Sequence, residues 1–67
     1  MIKNQVRKAR LAKELTQEAL AQEVDVSRQT IIALEKGNYT PSVKLALQLA
    51  HVLDKTVEDL FRIVPEE

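Results

Sequence analysis

Ser27, Arg28, Gln29 and Thr30 stand in a row at the start of an apolar-periodic segment, and Ala33 follows Gln29 and Thr30 one helical turn later. A guanidinium can donate two hydrogen bonds to the edge of guanine, and a carboxamide can pair with adenine in the same two-pronged way. The small side chains beside them let a helix come close, and methyl-bearing Ile32 or Ala33 suits a thymine methyl. One good bidentate pair discriminates between bases by roughly 1–3 kcal/mol. The chemistry within reach of this row is recognition of base edges in a DNA major groove. The bland alternative is that Arg28 and Gln29 only solvate an amphipathic helix. Rival chemistries find no constellation. Cysteine is absent and His51 is the single histidine, so His51 with Asp54 makes half a metal site at most and reads as a surface residue. No nucleophile–base pair or phosphate-cradling glycine loop can be assembled, and neither enzyme activity nor a cofactor is expected.

Groove reading requires a helix held firmly from behind, and the chain is rich in helix formers with only one Gly and two Pro. A first helix is predicted from Asn4 or Gln5 to Glu14, with Asn4 as N-cap. Val6, Ala9 and either Ala12 or Lys13 line its inner face, and Leu15 closes the core beyond its end. Thr16 caps a second helix, Gln17 to Val24, with Leu20, Ala21 and Val24 inward. After a joint at Asp25-Val26, Ser27 caps a third helix, Arg28 to Lys36, whose Ile31 and Leu34 face inward. Gly37 stands where a left-handed C-cap is wanted. Asn38 to Pro41 is a loop. Ser42 caps a fourth helix, Val43 to Leu53, in which Lys44, Gln48, His51 and Lys55 mark one polar stripe on a wide apolar arc. Such an arc either runs through the middle of the domain or also meets a partner. Thr56 opens a short fifth helix ending near Leu60 or Phe61. Phe61 to Val64 is predicted to pair with Met1 to Lys3 as a small antiparallel ribbon.

The 67 residues form one all-α domain by this reading, with 45% apolar and 30% charged residues. A domain of this size is marginal alone, so a second subunit would help it. Net charge is zero, yet Lys3, Arg7, Lys8, Arg10 and Lys13 fill the first thirteen residues without an acid. Asp54, Glu58, Asp59, Glu66 and Glu67 dominate the other end. Such a dipolar molecule can turn a basic face to phosphate, although the basic run reads equally as a solvated helix face. No membrane span and no signal segment are found, so no membrane partner is expected. The lack of cysteine fits a reducing cytoplasm.

Taken as a twenty-residue unit from Gln17 to Lys36, the second and third helices show a specific pattern. Ala21 is fifth, where crossing helices leave room for a small side chain only. Leu20, Val24, Val26, Ile31 and Leu34 fill the buried positions. The stretches Thr16–Ala21, Val26–Ile31 and Leu34–Gly37, with Tyr39–Ser42, Leu45–Leu47 and Val57–Phe61, closely resemble the Cro/repressor helix-turn-helix family over essentially the whole chain. The similarity is greatest to its short stand-alone bacterial regulators.

The resemblance implies a compact five-helix, lambda-repressor-like DNA-binding domain over residues 1–67. It implies a homodimer that reads a palindromic operator, with half-sites about one helical turn (roughly 34 Å) apart, and represses transcription in the cytoplasm, on the nucleoid. Ser27, Arg28, Gln29 and Ala33 match the base-edge positions, though Ser27 reads also as a plain N-cap. Gln17, Lys36, Asn38 and Tyr39 match contacts to the sugar-phosphate backbone, with Gln17 also bracing the third helix, and Thr30 joins them; the Tyr39 ring reads equally as packed on the loop. Arg10 and Glu35 match a partly buried ion pair tying the first helix to the third. Asp25 stands where the family commonly has a left-handed Gly, which implies some strain. The apolar surplus at Leu53, Val57 and Leu60 is the expected dimer face. No small-molecule effector is expected in so small a chain. Two rival readings share the fold: the antitoxin of a toxin–antitoxin pair, and a protein-interaction module without DNA contact.

Overall fold

Four side-chain caps set where helices begin. In the computed structural model, which describes residues 1–65, Thr16 Oγ1, Ser27 Oγ, Ser42 Oγ and Thr56 Oγ1 accept from the amides of Ala19, Thr30, Leu45 and Asp59 at 3.0–3.2 Å. Each satisfies one of the free amides that a helix start leaves over. They open α2 (Gln17–Glu23), α3 (Arg28–Glu35), α4 (Val43–Leu53) and α5 (Val57–Leu60). Glu66 and Glu67, the last acids of the chain, lie outside the described residues.

The first helix differs from its expectation. α1 covers Val6–Ala12, preceded by Gln5 rather than Asn4. Asn4 is instead the last residue of β1 (Ile2–Asn4), which pairs antiparallel with β2 (Phe61–Ile63): Ile2 opposite Ile63, Lys3 opposite Arg62, Asn4 opposite Phe61. The Gln5 amide then donates to the Leu60 carbonyl at 2.8 Å, which keeps the chain in the ribbon one residue longer. Asn4 still serves the helix from outside, accepting the Val6 amide at 3.1 Å on Oδ1. Its Nδ2 reaches the carbonyl of Leu34, near the end of α3, at 2.8 Å.

Helix ends are as uniform as their starts. After α1, α2, α3 and α4 the chain enters the left-handed region at Glu14, Asp25, Gly37 and Asp54, with φ of 57°, 57°, 83° and 57°. At each, the amide of the next residue reaches back five positions: Leu15 to Arg10, Val26 to Ala21, Asn38 to Ala33 and Lys55 to Ala50, at 2.9–3.2 Å. The left-handed residue itself reaches back three. This is the Schellman stop, which usually uses glycine because L side chains resist that geometry. Here three of the four are carboxylate residues.

Val6, Ala9, Leu20, Ala21, Val24, Ile31, Leu34, Leu45, Leu49, Ala50, Leu53 and Leu60 form the core, and Leu15 and Val26, which follow two of those stops, pack against it. Two expectations are corrected. Ala12 and Lys13 are exposed, and it is Arg10 that turns inward from α1. Leu53 and Leu60 are each 1% exposed and so have no surface to offer a second subunit; only Val57 of that trio is partly open. The wide apolar arc of α4 is consumed mainly by its own core, because α5 folds back over the last turn. Among the described residues, no helix is long and apolar enough to cross a membrane.

Candidate nucleic-acid interface

α3 is gripped on one side only. Ile31 and Leu34 are fully enclosed, while Arg28 and Gln29 are exposed at its first turn and Ala33 is half-buried one turn on. The inner pair locks the helix against α2 and the core, and the outer residues carry none of that packing. Ser27 is exposed but committed: its hydroxyl accepts the Thr30 amide and lies 3.0 Å from Thr30 Oγ1. The cap reading of Ser27 is thus realised, and Thr30 is half-buried beside it.

A charged clamp fixes α3 from behind. Arg10 Nε donates to Glu35 Oε2 at 2.7 Å, and its Nη2 to Oε1 at 3.3 Å. Its Nη1 donates to the carbonyl of Leu15 at 2.8 Å. The two side chains are 8% and 3% exposed. Pairing of this forked kind is what makes a buried guanidinium tolerable. Arg10 therefore belongs to the scaffold, although it sits in the basic run. Gln17 joins the same group, donating from Nε2 to Glu35 Oε1 at 3.2 Å. A brace from Gln17 to α3 is what the resemblance implied, although it did not name the partner eighteen positions away.

The starts of α2 and α3 lie side by side, because Thr16, Gln17 and Glu18 line one open groove with Arg28. Gln17 is half-buried there and braced by Glu35. At the other end of α3, Lys36, Asn38 and Tyr39 are exposed on the loop that follows Gly37. Tyr39 borders a shallow depression with Ile2, Pro41 and Phe61. Lys3, Arg7, Lys8 and Lys13 are exposed as well. The expected residues thus fall into two groups, one around the joined starts of α2 and α3 and one on the α3–α4 loop. Leu53 and Leu60 drop out of any surface.

A perturbed carboxyl lies elsewhere, in α5. Asp59 accepts the Thr56 amide at 3.1 Å while Thr56 Oγ1 accepts the Asp59 amide, a reciprocal capping box at α5. Its bonds to Thr56, with a smaller contribution from the Lys55 charge, hold the carboxyl below its ordinary range. Among the described residues no group of three His, Asp or Glu is placed to hold a metal ion.

Comparison with known proteins places this geometry in context. A family model described as helix-turn-helix matches residues 6–60. An uncharacterised helix-turn-helix-type transcriptional regulator of Methanocaldococcus jannaschii is 50% identical over 60 residues, covering 90% of this chain and 91% of that one. The regulator YgzD of Bacillus subtilis, also uncharacterised, is 40% identical over 65 residues, with 97% and 98% covered. Among solved structures, the restriction-modification controller protein C.AhdI of Aeromonas hydrophila superposes with a TM-score of 0.74 at 33% identity, covering 81% of this chain and 82% of that chain. The clp gene regulator ClgR of Corynebacterium glutamicum gives 0.76 at 31% identity, with 81% of this chain matching 57% of ClgR.

Proposed function

The chain belongs to the Cro/repressor type of helix-turn-helix transcriptional regulators, and from that premise we propose that its 67 residues are one domain that binds a palindromic operator as a homodimer and represses by occupying it. The observation that carries this reading is the one-sided grip on α3. Arg28 and Gln29 stand free at its first turn while Ile31, Leu34 and the Arg10–Glu35 pair hold the opposite side. Ser27, Arg28, Gln29 and Ala33 read base edges. Gln17, Thr30, Lys36, Asn38 and Tyr39 hold the sugar-phosphate backbone on either side and set the register. Those backbone contacts supply most of the affinity and make it fall steeply with salt. A dimer is needed because one reading helix spans too few base pairs to be selective. The protein acts in the cytoplasm, on the nucleoid, and an occupied operator excludes polymerase.

The direct test is selection of binding sites from random duplexes by the purified protein, followed by transcription from a promoter carrying the selected site. The reading requires an enriched sequence with inverted symmetry and a transcript that falls as protein is added. Enrichment of no sequence, or of a single unrepeated half-site, overturns it.

A further inference from the structure

The basic run that opens the chain holds residues that neither the core nor the reading side of α3 accounts for. Arg10 turns inward to Glu35, but Arg7 and Lys8 stay exposed on the outer side of α1, and Leu11 with them at 51%. Leu11 follows Lys8 by three residues and Arg7 by four, so the three are neighbours on the helix surface. Ala12, exposed one turn beyond Lys8, carries this face into an open groove of about 340 Å³ between α1 and α5. Buried Ala9 and Leu60 give the groove an apolar base, while Lys8 lines it from α1 and Lys55 from the joint before α5. Asp59 is the acid that lines it, and its carboxylate is committed to the Thr56 amide at 3.1 Å. Among the described residues Arg7, Lys8 and Lys55 form no ion pair.

We propose that this face, Arg7, Lys8 and Leu11 on α1 with the groove beside them and Lys55 across it, docks an acidic amphipathic helix of another protein. A partner helix laid along the seven residues of α1 has about 10 Å of helix to follow. Its apolar side chains cover Ala9, Ala12, Leu60 and Leu11, and its carboxylates meet three cations. Charges arranged in this way choose the partner and speed its approach. A second copy of the chain fits badly, because a twofold contact would set these cations against their own copies. A bilayer fits badly too, since Leu11 is a single projecting apolar side chain beside a concave groove.

DNA is turned away by position. Two helical residues advance by about 200°, so Lys8 and Arg10 point about 160° apart around α1. Arg10 faces Glu35 of α3 and shares a groove with Gln17 and Arg28. Lys8 therefore looks away from the reading side, and a duplex held by α3 leaves this face open. The regulator then holds operator and partner together. That joint use rests on the proposed function; the docking itself does not.

The test is a titration of the isotope-labelled full chain, followed by its amide NMR shifts. The probe is a synthetic helix of roughly 15 residues, with Leu at every third and fourth position and Glu elsewhere. Shifts should gather at Lys8, Leu11, Ala12 and Leu60, and a peptide with Gln for every Glu should bind on the order of 10-fold more weakly. Lys8→Glu should weaken the acidic peptide on the order of 10-fold and Leu11→Ser about as much. Lys44→Glu, the same charge change on α4, should leave it within about twofold. All three positions are exposed, so circular dichroism should not change. No binding, or shifts centred on Arg28 and the α3–α4 loop, overturns the proposal. Equal losses in Lys8→Glu and Lys44→Glu do so as well, and so do phosphatidylserine vesicles that bind the chain where the peptide does not. Repeating the titration with duplex bound separates the two readings. Peptide and duplex held together uphold both, whereas a duplex that displaces the peptide overturns the docking face. Peptide bound as expected, with no duplex bound by any form, upholds the docking face and sinks the operator reading instead.

Discussion

Arg10 and Glu35 meet as a fork across the α1–α3 contact, Nε to Oε2 at 2.7 Å and Nη2 to Oε1 at 3.3 Å, with both side chains nearly sealed from water. The pair is a polar link between α1 and α3. Its contribution to stability is conditional. Together the two charges roughly offset their desolvation, but either one alone is a buried, unpaired ion.

Glu35→Ala should therefore cost about 3–5 kcal/mol, the typical penalty for orphaning a buried charge. Replacing both residues, Arg10→Met with Glu35→Leu, should cost much less. Urea denaturation of the two variants at neutral pH measures the difference. Equal losses would show that packing, not the orphaned charge, sets the cost. For a 67-residue chain the single change threatens most of the stability expected, on the order of 3–10 kcal/mol.

Gln29→Ala and Asn38→Ala separate reading from holding. The first should flatten base preference at one operator position, by roughly 1–3 kcal/mol of lost discrimination. The second should weaken binding to all duplexes alike and lower the salt slope by about one. Competition assays with a panel of single-base operator variants distinguish them. If both substitutions scale every duplex equally, Gln29 does not read bases.

The four helix stops make an internal comparison possible. A β-carbon on Gly37 would meet nothing within 4 Å, so Gly37→Ala tests backbone geometry alone. It should destabilise by about 1–2 kcal/mol. Asp25→Gly runs the other way at φ 57°. It should gain from a few tenths to about 1 kcal/mol, the relief being partly offset by the entropy of a freer unfolded chain. In melting temperature, each 1 kcal/mol is roughly 4–8 °C for a domain of this size. Loss of stability in Asp25→Gly would mean that the carboxylate makes up for its strain in another way.

Asp59 supplies a pH dependence. Its carboxyl is held below the ordinary range by Thr56, so the folded state binds that proton less readily than the unfolded state does. The resulting stability is fully present above the unfolded pKa of about 3.9 and disappears as pH falls through the lower folded value. Wild type should melt above Asp59→Ala at neutral pH, by a margin that holds to about pH 5 and closes in stronger acid. A margin that is constant down to pH 2–3 (roughly, well below the free carboxyl pKa) would assign the effect to helix propensity.

The helix starts were legible because Thr16, Ser27, Ser42 and Thr56 are cap residues placed directly before apolar-periodic runs, and α4 begins and ends where its pattern does. The ribbon was legible at lower resolution, as two short apolar ends. Asn4 was misplaced because an Asn before a helix has one obvious local use, and its bond to Leu34, thirty positions away, leaves no trace in spacing. Glu14 and Asp54 gave no hint of left-handed backbone, since acids are ordinary on any surface. Leu53 and Leu60 were misplaced for a different reason. Periodicity shows how wide an apolar arc is, but not which part of it α5 will cover, so Leu53 looked outward. The free side of α3 was readable too, because Ile31 and Leu34 define which side of that helix turns inward and so leave Arg28 and Gln29 outside.

The carboxamide of Asn4 has one further consequence. By bonding the Val6 amide and the Leu34 carbonyl at once, it fastens the ribbon to the far turn of α3. In the proposed homodimer each α3 is thereby seated rigidly in its own subunit, so the distance and angle between the two probing ends are fixed like the jaws of a caliper. Adding a single base pair between half-sites moves them apart by roughly 3.4 Å and turns one against the other by about 35°. A rigid pair cannot follow that change, so the tolerated gap between half-sites should be a single length, with correct bases at any other gap left unread.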